Sequence, residues 1–113
     1  MSRILLLAIS ISFLFPSCAF RRISRHKDIV YQAAEQKIPP QELSVFAPRM
    51  HKRDSLREVL IFIHGGNWIH GKKELYNWFG SRWARKGVVT VIIDYPLSPV
   101  ADYRTMAADA AKS

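Results

Sequence analysis

The stretch that decides the fold is residues 59–71, which read VLIFIHGGNWIHG. Its first five residues, Val59 to Ile63, contain no polar side chain. A strand of this kind must be covered on both faces, which predicts a central strand with helices on each side. The strand stops at His64, and two glycines follow. Glycine adopts backbone angles that strain other residues and lets another group approach its N–H closely. The stretch therefore predicts a buried strand followed by a loop of unusual backbone shape.

A second apolar run, VVTVII, occupies residues 88–93. The segment between the two runs, residues 72–86, has a helical period, and Gly87 stands where a C-terminal glycine cap belongs. Its predicted apolar stripe consists of Leu75, Trp78, Phe79 and Trp83. Two apolar strands separated by one helix predict a βαβ unit, and hence an α/β fold with a parallel sheet.

Two further elements flank this unit. Residues 42–46 alternate between polar and apolar side chains, which predicts a short edge-like strand. Residues 102–112 predict a second helix, capped by Asp102, with Tyr103, Met106, Ala107 and Ala110 on one stripe. The predicted order is strand, strand, helix, strand, helix.

The N-terminus has the composition of an export signal. Arg3 is followed by a twelve-residue apolar run, Ile4 to Phe15. At about 1.5 Å per residue this run is too short to cross a bilayer core of roughly 30 Å, but it fits the apolar region of a signal peptide. Cys18, the only cysteine, follows the small residue Ser17. This arrangement resembles a bacterial lipoprotein signal, in which cleavage occurs before the cysteine and its thiol carries lipid.

The resemblance implies a signal peptide at residues 1–17, Cys18 as the lipid attachment site, and a basic tether and lead-in at residues 18–40. The chain would then be exported and held in a bacterial envelope membrane through its lipid; the alternative is a secreted or periplasmic protein. The net charge of +8 raises the question of nucleic-acid binding. The basic residues are scattered along the chain, however, without interleaved aromatics on one face, so a solvated basic surface and no nucleic-acid partner are expected.

The position of the glycine-rich loop suggests its chemistry. It follows the C-terminal end of a predicted parallel strand, where open α/β sheets bind their ligands. Backbone N–H groups exposed there can stabilise the oxyanion that forms when a nucleophile attacks an ester or amide carbonyl. Trp68 is predicted to wedge the loop against the body of the domain. The alternative is a tight strand-to-helix turn that needs glycine only for steric reasons.

The residues of this loop resemble the His-Gly-Gly-X-Trp oxyanion loop of α/β-hydrolases of the esterase and lipase group, in particular the hormone-sensitive-lipase-like and feruloyl- or acetyl-esterase-like branches. The neighbouring segments are also similar to that family: QELSVFAP (41–48), VVTVIIDYPLSP (88–99) and DYRTMAADAAKS (102–113). The resemblance covers residues 41–113. It implies the N-terminal part of an α/β-hydrolase fold, a mostly parallel sheet with flanking helices, which is incomplete in this chain.

The resemblance also implies site residues. Gly65, Gly66 and Asn67 would provide the oxyanion hole, with His64 and Trp68 as loop support, for a small ester or amide substrate in the full-length form. No cofactor and no metal are implied.

The nucleophile of this fold lies in a Gly-X-Ser-X-Gly elbow, and none of the ten serines has glycine two places away on each side. The resemblance places the acid and the histidine of the triad after this elbow, so all three triad residues are expected to be absent and the chain to be inactive as it stands. The expected function is the N-terminal part of a carboxylic-ester or amide hydrolase that acts by serine acyl transfer. The alternative is a noncatalytic membrane-anchored lipoprotein that uses a degenerate hydrolase scaffold as a binding surface.

Overall fold

The computed structural model describes residues 22–49 and 56–113. They contain, in chain order, β1 (Ile23–Gln32), β2 (Gln41–Pro48), β3 (Val59–Ile63), α1 (Asn77–Lys86), β4 (Val89–Ile93) and α2 (Tyr103–Ala110). A single 3₁₀ turn, Lys73–Tyr76, leads into α1. None of the helices in these two ranges is long and apolar enough to cross a membrane. The predicted signal peptide and Cys18 lie outside the described residues.

The four strands form one sheet in the order β1-β2-β4-β3. Strands β3 and β4 pair in parallel, with Val59 opposite Val89 and Ile63 opposite Ile93. Helix α1 connects them, so the predicted βαβ unit and the α/β fold class are confirmed. The sheet is less parallel than predicted, because β2 pairs antiparallel with both β1 and β4 in the described part of the chain.

Strand β1 was not predicted. It lies within residues 18–40, for which the sequence predicts a tether and lead-in, and it pairs with β2 from Ile23 opposite Pro48 to Gln32 opposite Gln41. Its sequence, ISRHKDIVYQ, is exposed at its six central positions, so it carries no apolar period that could reveal a strand. Because β1 covers one side of β2, β2 lies inside the sheet and the prediction of an edge-like strand there is wrong.

The core lies between the sheet and α1. Phe46 of β2, Ile92 of β4 and Ala84 of α1 are fully buried and pack together, with Phe62 of β3 beside them. The helix approaches so closely that a Cβ added at Gly80 would lie 2.8 Å from Cγ of Phe46. The small residues of α1 therefore allow it to sit directly on the aromatic ring.

The predicted apolar stripe of this helical segment is wrong in two places. Leu75 and Trp78 are 65% and 62% exposed, whereas the buried residues of α1 are Gly80, Ser81 and Ala84. Large side chains fit the sequence pattern of a buried stripe, but the close contact with Phe46 leaves room only for small ones.

The opposite face of β3 is uncovered. Val59, Ile61 and Ile63 are 61%, 56% and 55% exposed, and β3 is the last strand of the described sheet. The prediction of a central strand covered on both faces is therefore not met within the described residues. An apolar strand edge and face of this kind favour association with another surface.

The predicted helix ends are observed. Gly87 has φ 103° and its N–H donates to the carbonyl of Ala84 at 3.1 Å, as a left-handed C-terminal cap does. The Asp102 carboxylate accepts the N–H of Thr105 at 2.8 Å and so caps α2. Met106 of α2 is buried as predicted, but Tyr103 is 66% exposed.

Candidate functional site

The glycine loop, residues 64–71, leaves the C-terminal end of β3. Three consecutive residues have positive φ: Gly66 at 143°, Asn67 at 54° and Trp68 at 66°. Glycine and asparagine tolerate such values, but a bulky residue does so at a cost on the order of 1–3 kcal/mol. The surrounding contacts therefore impose the shape of this loop.

A tight turn fixes the middle of the loop. The carbonyl of Gly66 accepts the N–H groups of Ile69 at 3.2 Å and His70 at 2.9 Å. A Cβ at Gly66 would overlap the His70 carbonyl, and one at Gly71, where φ is 118°, would lie 2.6 Å from the Gly65 carbonyl oxygen. A Cβ at Gly65 would meet no atom within 4 Å. The turn therefore requires glycine at positions 66 and 71, but not at position 65.

The predicted oxyanion residues lie together at the start of this turn. Gly65 and Asn67 are exposed and Gly66 is half-buried. Within residues 22–49 and 56–113, the N–H groups of Gly65, Gly66 and Asn67 donate no hydrogen bond. Among the described residues, the loop thus holds three adjacent N–H donors without an acceptor. That this acceptor is an oxyanion stays a prediction.

His64 lies beneath the loop and is 2% exposed. Its Nδ1 is 2.9 Å from the carbonyl oxygen of Gly65, and its Nε2 is 3.3 Å from Oδ1 of Asp94. The geometry at Nε2 is that of an ion pair rather than of a well-formed hydrogen bond. The ring stacks on Tyr95, with centroids 4.8 Å apart, and the Tyr95 hydroxyl donates to the His64 carbonyl at 2.8 Å. These contacts fix the backbone at the point where strand becomes loop.

Both ring nitrogens of His64 face oxygen atoms, an arrangement that favours the imidazolium form. Burial lowers the pKa of His64, but the Asp94 carboxylate, the Gly65 carbonyl and the charge of Glu74 together raise it above its ordinary value. Burial also raises the pKa of Asp94, but His64 and the N–H and ammonium groups of Lys73 lower it below its ordinary value. The pair is therefore favoured in its charged form.

Asp94 and Lys73 are site residues that the sequence analysis missed. Asp94 directly follows β4, and its Oδ1 accepts the backbone N–H of Lys73 at 2.7 Å. Its Oδ2 lies 3.6 Å from Nζ of Lys73, whose side chain is only 3% exposed. This ammonium also contacts carboxylates of Asp28 at 2.9 Å, Glu42 at 3.0 Å and Glu74 at 2.6 Å.

Only part of this cluster is readable from the sequence. His64 and Asp94 each come directly after an apolar strand, and parallel neighbours end at the same edge of a sheet, so their proximity could have been predicted. Asp28 and Glu42 lie on two strands whose pairing the sequence does not reveal, so their approach to Lys73 could not have been predicted.

Trp68 does not act as the predicted wedge in the described chain. Its side chain is 60% exposed. Its backbone carbonyl instead accepts the N–H of Ser98 at 2.9 Å, which ties the loop to the segment after β4. The loop is therefore held by backbone hydrogen bonds and by His64, rather than by packing of the indole ring.

An open cavity of about 490 Å³ borders the Lys73 cluster. Glu42, Gly71, Lys73, Asp94 and Tyr95 contribute to its lining, whereas Gly65, Gly66 and Asn67 do not. The cavity is therefore next to the support of the loop and not next to its free N–H groups.

The fold is shared with solved esterases. Esterase B from Lactobacillus rhamnosis superposes with a TM-score of 0.68 at 20% identity, over 98% of this chain and 34% of that one. A bacterial heroin esterase gives 0.60 at 18% identity, over 97% and 33%. A thermophilic esterase from Thermogutta terrifontis gives 0.64 at 20% identity, over 86% and 34%. The parallel βαβ unit with its glycine loop is thus that of an α/β-hydrolase fold.

The family comparison defines the class of this protein more narrowly than its fold does. The BD-FAE family model matches residues 43–113, and the chain belongs to this family of α/β-hydrolase esterases. A rice protein (Oryza sativa subsp. japonica) described as a probable isoprenylcysteine alpha-carbonyl methylesterase is 35% identical over 72 residues, which are 64% of this chain and 17% of that protein. The chain spans 17% of this relative and about a third of the solved esterases.

Proposed function

We propose that this chain supplies the oxyanion loop of a carboxylic-ester or amide hydrolase that acts by serine acyl transfer. One observation carries the proposal: at the C-terminal end of parallel strand β3, the N–H groups of Gly65, Gly66 and Asn67 have no acceptor among the described residues. Unused donors at a ligand-binding sheet edge suit an acceptor that is present only during the reaction.

The loop would act by stabilising charge as it develops. When a serine hydroxyl loses its proton to a general base and its oxygen bonds to the carbonyl carbon of the substrate, the C=O double bond opens and the carbonyl oxygen becomes an oxyanion. The N–H groups of Gly66 and Asn67 then donate to that oxygen, with Gly65 the alternative donor. The turn at Gly66 and the tie from Trp68 to Ser98 hold these donors in place before the reaction, so little energy is spent on reorganising them.

The buried His64 would serve this loop without transferring a proton. Both of its ring nitrogens are already directed at Gly65 and Asp94. An imidazolium in this position adds positive charge beneath the donors, which favours an anion above them. The nucleophile, the acid and the base would come from parts of the fold outside this chain.

The proposed substrate class is supported by the family. Membership of an esterase family supports a small ester, and the rice relative is described as a methylesterase. An amide remains the alternative, because serine acyl transfer passes through the same oxyanion with either leaving group.

The test compares the chain with a longer form of itself. We expect the purified 113-residue chain to hydrolyse short p-nitrophenyl esters no faster than buffer, and to take up no fluorophosphonate probe. The same segment, joined in frame to coding sequence that supplies a Gly-X-Ser-X-Gly elbow with a later Asp and His, should do both. Turnover by the short chain that survives repurification would contradict the proposal. A longer form that folds but lacks activity would favour the noncatalytic lipoprotein.

We further propose that Cys18 becomes the mature N-terminus and carries lipid, so that the protein is anchored in a bacterial envelope membrane. The support is the apolar run ending in Ser17 and Cys18. In a bacterium fed labelled fatty acid, the chain should be labelled and its Cys18→Ser variant should not. Equal labelling of the two, or a mature N-terminus elsewhere, would favour a secreted or periplasmic protein.

A further inference from the structure

The Lys73 ammonium is the most heavily engaged charged group of the described chain. It lies within 3.0 Å of the carboxylates of Asp28, Glu42 and Glu74, and 3.6 Å from that of Asp94. These four partners come from β1, from β2, from the 3₁₀ turn and from the end of β4. The ammonium is almost fully buried, while Asp28 and Glu74 are 65% and 51% exposed. One cation thus draws four separate segments to one point.

Three successive contacts connect the same cation to the proposed oxyanion donors. Lys73 approaches Asp94 through both its backbone N–H and its ammonium, which occupy the two carboxylate oxygens. Asp94 Oδ1 also faces Nε2 of His64, and His64 Nδ1 faces the carbonyl of Gly65. A continuous chain of polar contacts therefore runs from the buried cation to the carbonyl of Gly65.

We propose that Lys73 is a positioning residue for the glycine loop: its ammonium fixes the Asp94 carboxylate, and Asp94 in turn holds His64 beneath Gly65. This inference rests on the proposed function for its effect on catalysis, but not for its effect on His64. Without the ammonium, Asp94 would be repelled by the Glu42 and Glu74 carboxylates that the cation now neutralises. The carboxylate would then turn away from that group of charges, and His64 would lose its partner.

The direction of the His64 titration distinguishes this proposal from simple charge removal. If Asp94 stayed in place, loss of the nearby Lys73 cation would raise the pKa of His64, because a like charge would be gone. If Asp94 moves away, the pKa of His64 falls toward its ordinary value, because its carboxylate partner is lost. The two outcomes have opposite signs.

The experiment is an NMR titration of the His64 ring in the 113-residue chain, in Lys73→Met and in Lys73→Gln. Lys72→Met is the matched control, since Lys72 is the adjacent, exposed lysine. We expect the His64 pKa to fall in both Lys73 variants, to stay unchanged in Lys72→Met and to recover in Lys73→Arg. An unchanged or raised pKa in the Lys73 variants would overturn the proposal. The proposal would also be overturned if both Lys73→Met and Lys73→Gln failed to fold while Lys72→Met folded. That result would show that Lys73 stabilises the whole sheet rather than His64 in particular.

A second readout links the contact to catalysis. In the longer, active form, Lys73→Met should lower kcat about tenfold or more with little change in KM, and Lys73→Arg should restore most of it. If the pKa of His64 falls as expected but kcat does not, the proposal that Lys73 positions His64 stands. The oxyanion role of the loop is then contradicted. If neither kcat nor the pKa of His64 changes, only the positioning role of Lys73 is rejected.

Discussion

The two faces of the sheet differ at β3, although both are apolar, and the face of β3 away from α1 is here called the open face. On the face under α1, Phe46 and Ile92 are fully buried. On the other face, Ile61 and Ile63 of β3 are more than half exposed. An apolar side chain in a strand indicates that the position suits a covered surface. Its measured burial shows only whether the described residues of this chain cover it. A small sheet whose last strand, β3, leaves one apolar face open should be only marginally stable.

The largest effect is expected on the finished face. Phe46→Ala should lower the free energy of unfolding by about 3–5 kcal/mol, because it removes a buried ring and leaves a cavity beneath Gly80. Given the small size of the core, we expect the variant to be largely unfolded by circular dichroism and urea titration. Ile61→Ala is the matched control on the open face and should cost far less. Equal losses for the two would show that the faces do not differ as described.

A smaller loss should follow from overfilling the same contact. Gly80→Ala places a Cβ 2.8 Å from Cγ of Phe46, so either the ring or α1 must shift. We expect a loss of about 1–3 kcal/mol in urea unfolding. Combining it with Phe46→Leu should cost less than the sum of the two single changes, because the smaller side chain makes room. Strict additivity would mean that α1 does not rest on this ring.

The open face should respond in solubility rather than in stability. Ile61→Lys is expected to change the free energy of unfolding by no more than about 0.5 kcal/mol, since the side chain is already exposed. It should reduce self-association in sedimentation velocity, because a charge interrupts the apolar face and edge. A strong loss of stability, or unchanged association, would show that β3 is covered in solution.

The smallest expected effect is the dependence of stability on pH. The apolar side chains on the two faces do not titrate, so this dependence comes from the charged groups beneath the glycine loop. The pKa of His64 is raised by folding, so its contribution to stability is complete below its ordinary value of 6.5 and is lost as pH rises through the higher folded value. Asp94 has the opposite sign: its contribution is present above 3.8 and is lost as pH falls through the lower folded value. Glu74 and Lys73 are the other charged groups that face this pair.

We therefore expect Tm to decline modestly as pH is raised from 6, and Asp94→Asn to flatten that decline. Phe46→Leu should lower the whole curve without changing its slope. A decline of the same slope in Asp94→Asn would mean that another group carries the pH dependence.

The sequence predicts those parts of the molecule that are local. The βαβ unit follows from two apolar runs around a helical segment, and the ends of its helices follow from Gly87 and Asp102, each of which acts on its own neighbours. The glycine loop is likewise recognisable, because its residues are consecutive and the turn requires glycine at positions 66 and 71.

The parts that sequence does not predict depend on pairing. Strand β1 is held by backbone hydrogen bonds to β2, and its mostly exposed side chains leave no periodic pattern. The contacts of Lys73 with Asp28 and Glu42 depend on that same pairing. The exposure of Trp68 could not be predicted either, because it depends on which elements are present to cover the indole ring.

The central claim is that the N–H of Gly66 binds an oxyanion. A proline at this position would test it poorly, because it fixes φ near −65° while Gly66 has 143°. Replacement of the Gly65–Gly66 peptide bond by an ester, through semisynthesis of the active longer form, removes the N–H and keeps the backbone shape. The same ester replacement at the Gly71–Lys72 bond, whose N–H donates no hydrogen bond within the described residues, is the control. The account predicts a fall in kcat of about 10²–10³ for the ester, or about 2.7–4 kcal/mol of transition-state stabilisation, and little change for the control. A folded ester variant with near-normal kcat would contradict it and leave the loop as a steric turn.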